Sequence, residues 1–354
     1  MRARRPVTIT DIAKATGVAP STVSRALNKP GRVSAATRER IEAAARELDY
    51  VPNSQARALS SGRTGTIAVL VSDVTNPFYF GLIRGTQQQL KAAGYAQLLI
   101  DTEDSGEHEA EMLRKMRRWM DGAILTASRL PERALAELAT EIPLVTVNRN
   151  VRGVPSVVID TPAGMGLAVE HLVSLGHRDI AYAYGPENSW SNRARWQALK
   201  VAGQRYGRAF ERVGPFPRGR MFGSAAADAL LNTKATAYIA FNDLLAIGIL
   251  SRLRERGVRV PADVSVVGCD DIFGADFCNP PLTTLTAPIE QAGRVAVSLL
   301  LSHLDASTAE PQRRAVVLPT HLTIRESTGP APERPASQQP EPRDRHPSGN
   351  RPQR

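Results

Sequence analysis

Short apolar runs alternate with longer amphipathic segments through most of the chain after Thr64. A first series of runs reads IAVLVSD, AQLLID, GAILTA, PLVTVNR and SVVID, and a second reads IAYAYG, AYIAFN and SVVGCD. Such runs predict buried strands, and the segments between them predict helices. Because strands that alternate with helices form parallel sheets covered by those helices, the two series predict two doubly wound lobes. A ligand cleft is expected between the carboxyl ends of their strands.

The first fifty residues have a different pattern, that of short helices joined by a tight turn. Thr8 can cap a first helix, and Asp11 stands three residues later, where its carboxylate reaches back toward free amide groups. Gly17 tolerates a positive φ at the corner. Pro20 suits the first turn of a second helix, which should end at about Leu27. The apolar positions expected to face inward are Ile9, Ile12, Ala13, Val23 and Leu27.

A third helix should follow Ser34, another capping residue, and run from about Ala35 to Leu48. Its apolar residues recur at helical spacing and should close a three-helix core. These residues are Ile41, Ala44, Ala45 and Leu48.

The outward side of the second helix carries short or forked hydrogen-bonding groups, which suit the reading of base edges in a major groove. Up to Arg63 the chain has twelve Lys and Arg against five Asp and Glu, whereas residues 64–327 have 28 against 27. A helical hairpin that only packs against the rest of the chain is the alternative. Because the basic charge coincides with a helix-turn-helix pattern, DNA binding is favoured.

Several motifs, in order along the chain, carry a resemblance to a known family. They include VTITDIAKATGVAPSTVSRALN, VSAATRERIEAAARELDYVPN, ARALSSGRTGTIAVLVSD, NPFYFGLIRG, LAVEHLVSLGHRDIAY, AFNDLLAIG, PADVSVVGCDD and PPLTTLTAP. Together they resemble the lactose/galactose-repressor (LacI/GalR) family of bacterial transcription regulators. The resemblance covers about Val7 to Glu326.

This resemblance implies a domain organisation. An all-α helix-turn-helix DNA-binding head would be followed by an α/β periplasmic-binding-protein-like core of two doubly wound parallel-sheet lobes. The Pro-rich tail lacks the apolar residues of a core and is expected to be disordered. The expected bounds are 1–51 for the head, 52–63 for a hinge helix or linker, 64–327 for the core and 328–354 for the tail. Within the core, lobe one would comprise about 64–160 and 289–320, and lobe two about 161–288 and 321–327.

The resemblance also implies which residues contact DNA. Ser21, Thr22 and Arg25 would read bases. In the hinge, which alone is too short to hold a helix and could be a simple linker, Leu59 would wedge into the minor groove and Ala56 would line it. Ala19 stands where a serine cap is usual. The full set expected at DNA is Thr8, Ile9, Pro20, Ser21, Thr22, Ser24, Arg25, Asn28, Ser34, Thr37, Ala56 and Leu59.

Polar and aromatic residues at strand ends are the candidates for the cleft. Each has a structural alternative: Asp243 could cap a helix, and Arg195 could be solvated. The resemblance implies that Arg195 and Asp270 grip hydroxyl or carboxylate groups and that Tyr79 packs on a ring, which suits a sugar or similar polar metabolite. Cys269 replaces a common aromatic, which leaves the ligand's identity open. The candidate set is Ser72, Asp73, Phe78, Tyr79, Asn148, Arg195, Asn242, Asp243 and Asp270.

Other classes of protein are disfavoured. No apolar run is long enough to span a bilayer, and no apolar signal region follows the basic N-terminus, so the protein is expected in the cytoplasm, on nucleoid DNA. Cys269 and Cys278, the only cysteines, show no metal-ligand pattern. The Gly164-Met165-Gly166 run lacks a third dinucleotide-loop glycine, because Val169 occupies that position. With no GxxxxGK[ST], HExxH or GxSxG motif, we expect neither an enzyme nor a cofactor.

The resemblance therefore implies a sequence-specific transcriptional regulator, most simply a repressor. A homodimer, or a tetramer, would bind a pseudo-palindromic operator whose half-sites lie roughly one turn, or 10 base pairs, apart. A small effector that prefers one closure of the two lobes would change the affinity for the operator. The effector could act as an inducer or as a corepressor.

Overall fold

A computed structural model describes residues 5, 7–28, 30–50, 63–208, 210–217, 220–305 and 315–333. The chain forms two compact units, Met1–Gly65 and Thr66–Arg354. The expected hinge positions Ala56 and Leu59 lie outside the described residues, as does the tail from residue 334.

The described part of the first unit contains helices α1 (Ile9–Thr16), α2 (Pro20–Asn28) and α3 (Ala35–Glu47). The Thr8 backbone N–H and hydroxyl both donate to Asp11 Oδ2, at 2.8 and 2.7 Å, which fixes the start of α1. Gly17 turns the chain with a φ of 67°. Ser34 Oγ accepts from the Thr37 N–H at the start of α3. These local features agree with the predicted helix-turn-helix.

The core of this unit consists of Ile12, Ala13, Val23, Ala26 and Ile41. The prediction that Leu27 is fully buried is wrong, because Ala26 follows Val23 by three residues and shares its side of α2. Leu27 is half-buried and packs at the rim of the core.

The second unit contains two six-stranded sheets. The first has the order β11-β5-β4-β3-β1-β2, and all of its pairs are parallel. Its strands are β1 (Thr66–Val71), β2 (Ala96–Asp101), β3 (Gly122–Thr126), β4 (Leu144–Val147), β5 (Ser156–Ile159) and β11 (Ala315–Leu318).

The second sheet has the order β12-β10-β9-β8-β6-β7. Its pairs are parallel except β10–β12, which is antiparallel. Its strands are β6 (Ile180–Ala183), β7 (Phe210–Val213), β8 (Ala237–Ala240), β9 (Ser265–Asp270), β10 (Thr283–Thr286) and β12 (His321–Thr323). The chain therefore crosses between the sheets three times: after β5, after β10 and after β11.

Helices connect the strands of both sheets and cover them. In the first lobe they are α4 (Phe78–Ala92), α5 (Gly106–Met116), α6 (Glu132–Glu141) and α11 (Ile289–Asp305). In the second lobe they are α7 (Thr161–Ser174), α8 (Trp190–Arg205), α9 (Gly223–Leu231) and α10 (Asp243–Glu255). Within the described ranges, no helix is long and apolar enough to cross a membrane.

Helix α11 packs closely on α4, which returns the chain to the first lobe. Two glycines allow the close approach. A Cβ at Gly85 would overlap the backbone oxygen of Glu290, and a Cβ at Gly293 would lie 2.7 Å from the oxygen of Leu82. The helix pair therefore requires glycine at both positions.

The chain after Thr328 starts as an ordered strap. The Ala331 N–H donates to the Leu175 oxygen at 2.8 Å, His177 Nε2 lies 3.0 Å from the Gly329 oxygen, and His171 Nε2 lies 2.9 Å from Thr328 Oγ1. The expectation of disorder from residue 328 is therefore wrong for 328–331. These tertiary bonds compensate for a composition that cannot form a core.

Candidate functional site

A cleft of about 370 Å³, part of it open to solvent, lies at the carboxyl ends of strands from both sheets. The first lobe contributes residues that follow β1, β3 and β4, and the second contributes residues that follow β6 and β8 or end β9. The lining residues are Asn76, Phe78, Tyr79, Ala127, Asn148, Ser189, Ser191, Arg195, Phe241, Asn242 and Asp270. The arrangement is the one expected where two doubly wound lobes face each other.

Three of these lining residues have a positive φ at the end of a strand. The angle is 48° at Ala127, 55° at Asn148 and 125° at Asp270. Such conformations are uncommon for residues other than glycine and cluster at functional sites. The cleft is therefore built on backbone that the surrounding sheets hold in a strained form.

Arg195 is the principal charged group of the cleft and is only 4% exposed. Its Nε donates to Thr161 Oγ1 at 3.1 Å and its Nη1 donates to the Phe241 oxygen at 2.5 Å. Its Nη2 lies 3.4 Å from Asp270 Oδ1, and the guanidinium lies 5.3 Å from the centre of the Phe241 ring. Because three elements hold it, the guanidinium has a fixed orientation.

The first lobe presents an aromatic pair and an amide. Phe78 and Tyr79 open α4 with their rings edge to face, 5.2 Å apart. The Tyr79 hydroxyl lies 2.6 Å from Ser72 Oγ, which fixes the ring. Asn148 Oδ1 accepts from the Ile159 N–H at 3.1 Å, so its amide nitrogen is the group available to a ligand.

Six of the nine predicted ligand residues line the cleft, namely Phe78, Tyr79, Asn148, Arg195, Asn242 and Asp270. Ser72 and Asp73 do not. Ser72 is buried beneath Tyr79, and Asp73 Oδ1 accepts from the backbone and side chain of Thr75 within its own turn.

Asp243 also points away from the cleft and is fully buried. It accepts from the Ile272 N–H at 2.9 Å and from Thr284 Oγ1 at 2.6 Å. Burial, reinforced by the Asp270 charge, raises the pKa of Asp243 to about 7. Asn242, one residue earlier, is the helix cap, since its Oδ1 accepts from the Leu245 N–H. The suggestion that Asp243 caps the helix is therefore wrong by one residue.

The sequence reasoning missed five lining residues, which are Asn76, Ala127, Ser189, Ser191 and Phe241. Two of them had a local signal. Ser189 caps α8 through Asn192, and Asn76 accepts from the Phe78 N–H ahead of α4. Cys269 is fully buried behind Asp270 and does not line the cleft, and burial raises the pKa of its thiol.

In the first unit, the predicted base-reading side of α2 faces outward. Pro20, Ser21 and Arg25 are exposed, and Thr22 and Ser24 are half-buried. Of the remaining positions, Ser34 is exposed, and Thr8, Ile9 and Thr37 are half-buried. The side chain of Asn28 lies outside the description. The side chains described on this face can therefore reach a partner.

Comparison with known proteins bears on both units. Residues 8–53 match the family model described as bacterial regulatory proteins, lacI family, and residues 169–328 match a periplasmic binding protein-like domain. The transcriptional regulator CelR of Thermobifida fusca is 36% identical over 346 residues, covering 92% of this chain and 100% of that protein. The chain belongs to the lacI family. It is accordingly a DNA-binding transcription regulator, not an enzyme.

Solved structures of the family agree with this fold. The lac repressor dimer bound to operator and an anti-inducer superposes with a TM-score of 0.81 at 29% identity, covering 92% of this chain and 100% of that one. The complex of the regulator CelR with cellobiose gives a TM-score of 0.66 at 33% identity, covering 91% and 100%. Both the helix-turn-helix and the two parallel-sheet lobes predicted from the sequence are confirmed.

Proposed function

We propose that this protein is a repressor whose affinity for a pseudo-palindromic operator is set by a sugar or sugar derivative bound between its lobes. The observation that carries the proposal is the cleft: a fixed Arg195–Asp270 pair on one lobe faces aromatic and amide groups on the other. The same chain carries a basic helix-turn-helix. A sensor and a DNA reader are thus joined in one molecule.

The chemistry of the lining favours a neutral, hydroxyl-rich ligand. The only ionised side chains among the lining residues are Arg195 and Asp270, which neutralise each other. Three asparagines and two serines add donors and acceptors, and Phe78, Tyr79 and Phe241 offer flat apolar surfaces. Sugars present hydroxyl groups at their edges and apolar C–H faces, which match these two features. The cellobiose complex of the relative CelR supports this assignment.

On the DNA side, Ser21, Thr22 and Arg25 would read base edges, and Arg25 has the forked donors that recognise guanine. Phosphates would be contacted by Thr8, Ser24, Asn28, Ser34 and Thr37, which fix the register. Ile9 and Pro20 would complete the surface. A minor-groove contact by Ala56 and Leu59 remains a prediction for the segment 52–63.

Coupling between the sites would follow from lobe closure. A ligand held by Asn148 on one lobe and by Arg195 on the other stabilises the arrangement that brings these residues together. Only a ligand with different affinities for two closures can change DNA binding. We infer that this occurs in a homodimer, acting on the nucleoid in the bacterial cytoplasm. The lac repressor dimer on its operator supports the dimer.

The proposal is tested by mapping the fragments of genomic DNA that the purified protein protects, and then by a panel of sugars. Genes beside the protected fragments suggest which sugars to include. We expect one sugar to raise the unfolding temperature and to change the affinity for the protected fragment. If no fragment is preferred over scrambled DNA, the proposal is wrong. If only anionic metabolites act, the neutral ligand class is wrong.

A further inference from the structure

A cationic patch lies at the end of α5 in the first lobe. It comprises Arg114, Lys115, Arg117, Arg118 and Trp119, all exposed, and we call it the edge patch. Its first two residues end α5, and the last three form a 3-10 helix. The Trp119 side chain is 52% exposed, an unusual amount for a large aromatic.

The edge patch stands at the edge of the first sheet where the strands begin. Met120 is buried directly after it, and the N–H of Asp121 donates to the Thr66 oxygen at 2.8 Å. Thr66 is the first residue of β1 and of the second unit. The patch is therefore within a few residues' distance of the point where the chain enters this unit from the DNA-binding unit.

Structural roles account for part of the patch only. Arg114 and Lys115 lie in the last turn of α5, where cations complement the helix dipole. Arg117 Nη1 pairs with Glu141 Oε2 at 2.9 Å. Arg118 and Trp119 lie beyond the helix, and among the described residues no carboxylate lies within ion-pair distance of Arg118. Surfaces that meet a partner are enriched in Trp and Arg.

The length of the connecting chain limits where a bound duplex can be. Thirteen residue steps separate Tyr50 from Arg63, so this segment spans ~45 Å at most. DNA held by the first unit is thus tethered near the second unit, at a high effective concentration. Duplex DNA carries one negative charge per about 1.7 Å of its axis. An acidic protein, by contrast, would have to be recruited from solution.

We propose that the edge patch contacts backbone phosphates outside the operator, extending the bound site beyond the bases read by α2. This inference rests on the proposed operator binding. Lys115 and Arg118 supply the charge, and Trp119 supplies an N–H donor and an apolar surface for the sugar backbone. Because phosphates carry no sequence, the contact adds affinity without specificity.

The test compares two double variants on two duplexes. The probe is the duplex that the wild-type protein selects from a random pool, prepared without flanks and with ten or more flanking base pairs on each side. The first double variant combines Lys115→Ala with Arg118→Ala. The control combines Arg178→Ala with Lys234→Ala, two exposed cations that precede β6 and β8 at the equivalent edge of the second sheet. Affinity is measured over a range of salt concentrations.

We expect the patch variant to lower the salt-dependence slope by about two on the flanked duplex, near 0.9 for each phosphate lost. It should match the wild type on the short duplex, which also shows that it is folded, and the control should match on both. Should the double variant lose binding to the short duplex, Arg118→Gln alone replaces it, with about one expected. An unchanged slope on the flanked duplex overturns the inference and points to an acidic protein partner. If the wild type selects no duplex, the proposed function itself has failed.

Discussion

Arg195 and Asp270 form a buried ion pair in the cleft, with Nη2 and Oδ1 3.4 Å apart and side chains 5% and 8% exposed. The two residues come from α8 and from the end of β9, 75 positions apart in the chain. Breaking a buried pair costs more than the pair itself contributes, because it leaves one charge unpaired. The pair is therefore sensitive to the loss of either partner.

Asp270→Asn should abolish the effect of the sugar on operator affinity while the ligand-free protein still binds its operator. It should also lower the free energy of unfolding by roughly 3 kcal/mol, since Arg195 remains buried without a counter-charge. Titration of operator with and without sugar, and denaturant unfolding, measure the two effects. Asp73→Asn is the control, because Asp73 lies outside the cleft. An unaltered sugar response in Asp270→Asn would remove this residue from the binding site.

Arg25→Ala should weaken binding to the cognate duplex by about 1–3 kcal/mol, because an exposed arginine on α2 would lose its contact to a base. Binding to random DNA should change little. Competition assays against both duplexes measure the difference. Arg40→Ala, which removes another exposed cation of the same unit, should leave the preference between the duplexes intact. Equal losses on both duplexes in Arg25→Ala would mean that Arg25 contacts phosphate only.

Glu109 links the stability of the first lobe to pH. It is 2% exposed, and its Oε2 accepts from the Arg129 N–H at 3.0 Å, but its Oε1 has no hydrogen-bond partner. Burial raises the pKa of Glu109 from 4.5 to about 7. The folded state thus holds the proton more tightly than the unfolded state. The corresponding stability is fully present below about pH 4.5 and is lost as the pH rises through about 7.

Glu109→Gln should therefore match the wild type near pH 5 and become the more stable protein at pH 8. The pKa shift corresponds to about 3 kcal/mol at most. Unfolding free energies at the two pH values measure the change. The exposed Glu107→Gln should show no such dependence. A stability difference that is constant between pH 5 and 8 would contradict the buried-charge explanation.

Gly85→Ala should destabilise the first lobe by roughly 1–3 kcal/mol, because the added methyl group would overlap the Glu290 backbone of α11. Gly166→Ala is the matched control inside another helix. Nothing lies within 4 Å of the position of its Cβ, so the substitution should stabilise by up to about 1 kcal/mol. Denaturant unfolding compares the two variants. Comparable stability of both would show that the packing of α4 on α11 tolerates a side chain.

Local sequence patterns were sufficient to predict most of the fold. The capping of α1 by Thr8 and Asp11 and the turn at Gly17 depend on neighbouring residues only. Strands β7 and β12 were missed because each lies at the edge of its sheet and none of its residues is buried. The ordering of residues 328–331 could not be foreseen either, since it depends on His171 and His177, about 150 positions earlier.

The cleft was predictable in its location more than in its exact membership. Strand ends alternate between facing the cleft and facing the core, so one position decides the outcome. Asn242 lines the cleft, whereas the next residue, Asp243, is buried. Positive φ angles at Ala127, Asn148 and Asp270 redirect the chain in a way that no pattern of polarity encodes.

Competition between the selected duplex and a scrambled duplex, with and without the identified sugar, tests the central claim most directly. We predict a preference for the selected duplex of about 10³-fold or more at moderate salt, and a change in that preference when the sugar is added. Equal affinity for the two duplexes under both conditions would contradict a sugar-controlled repressor.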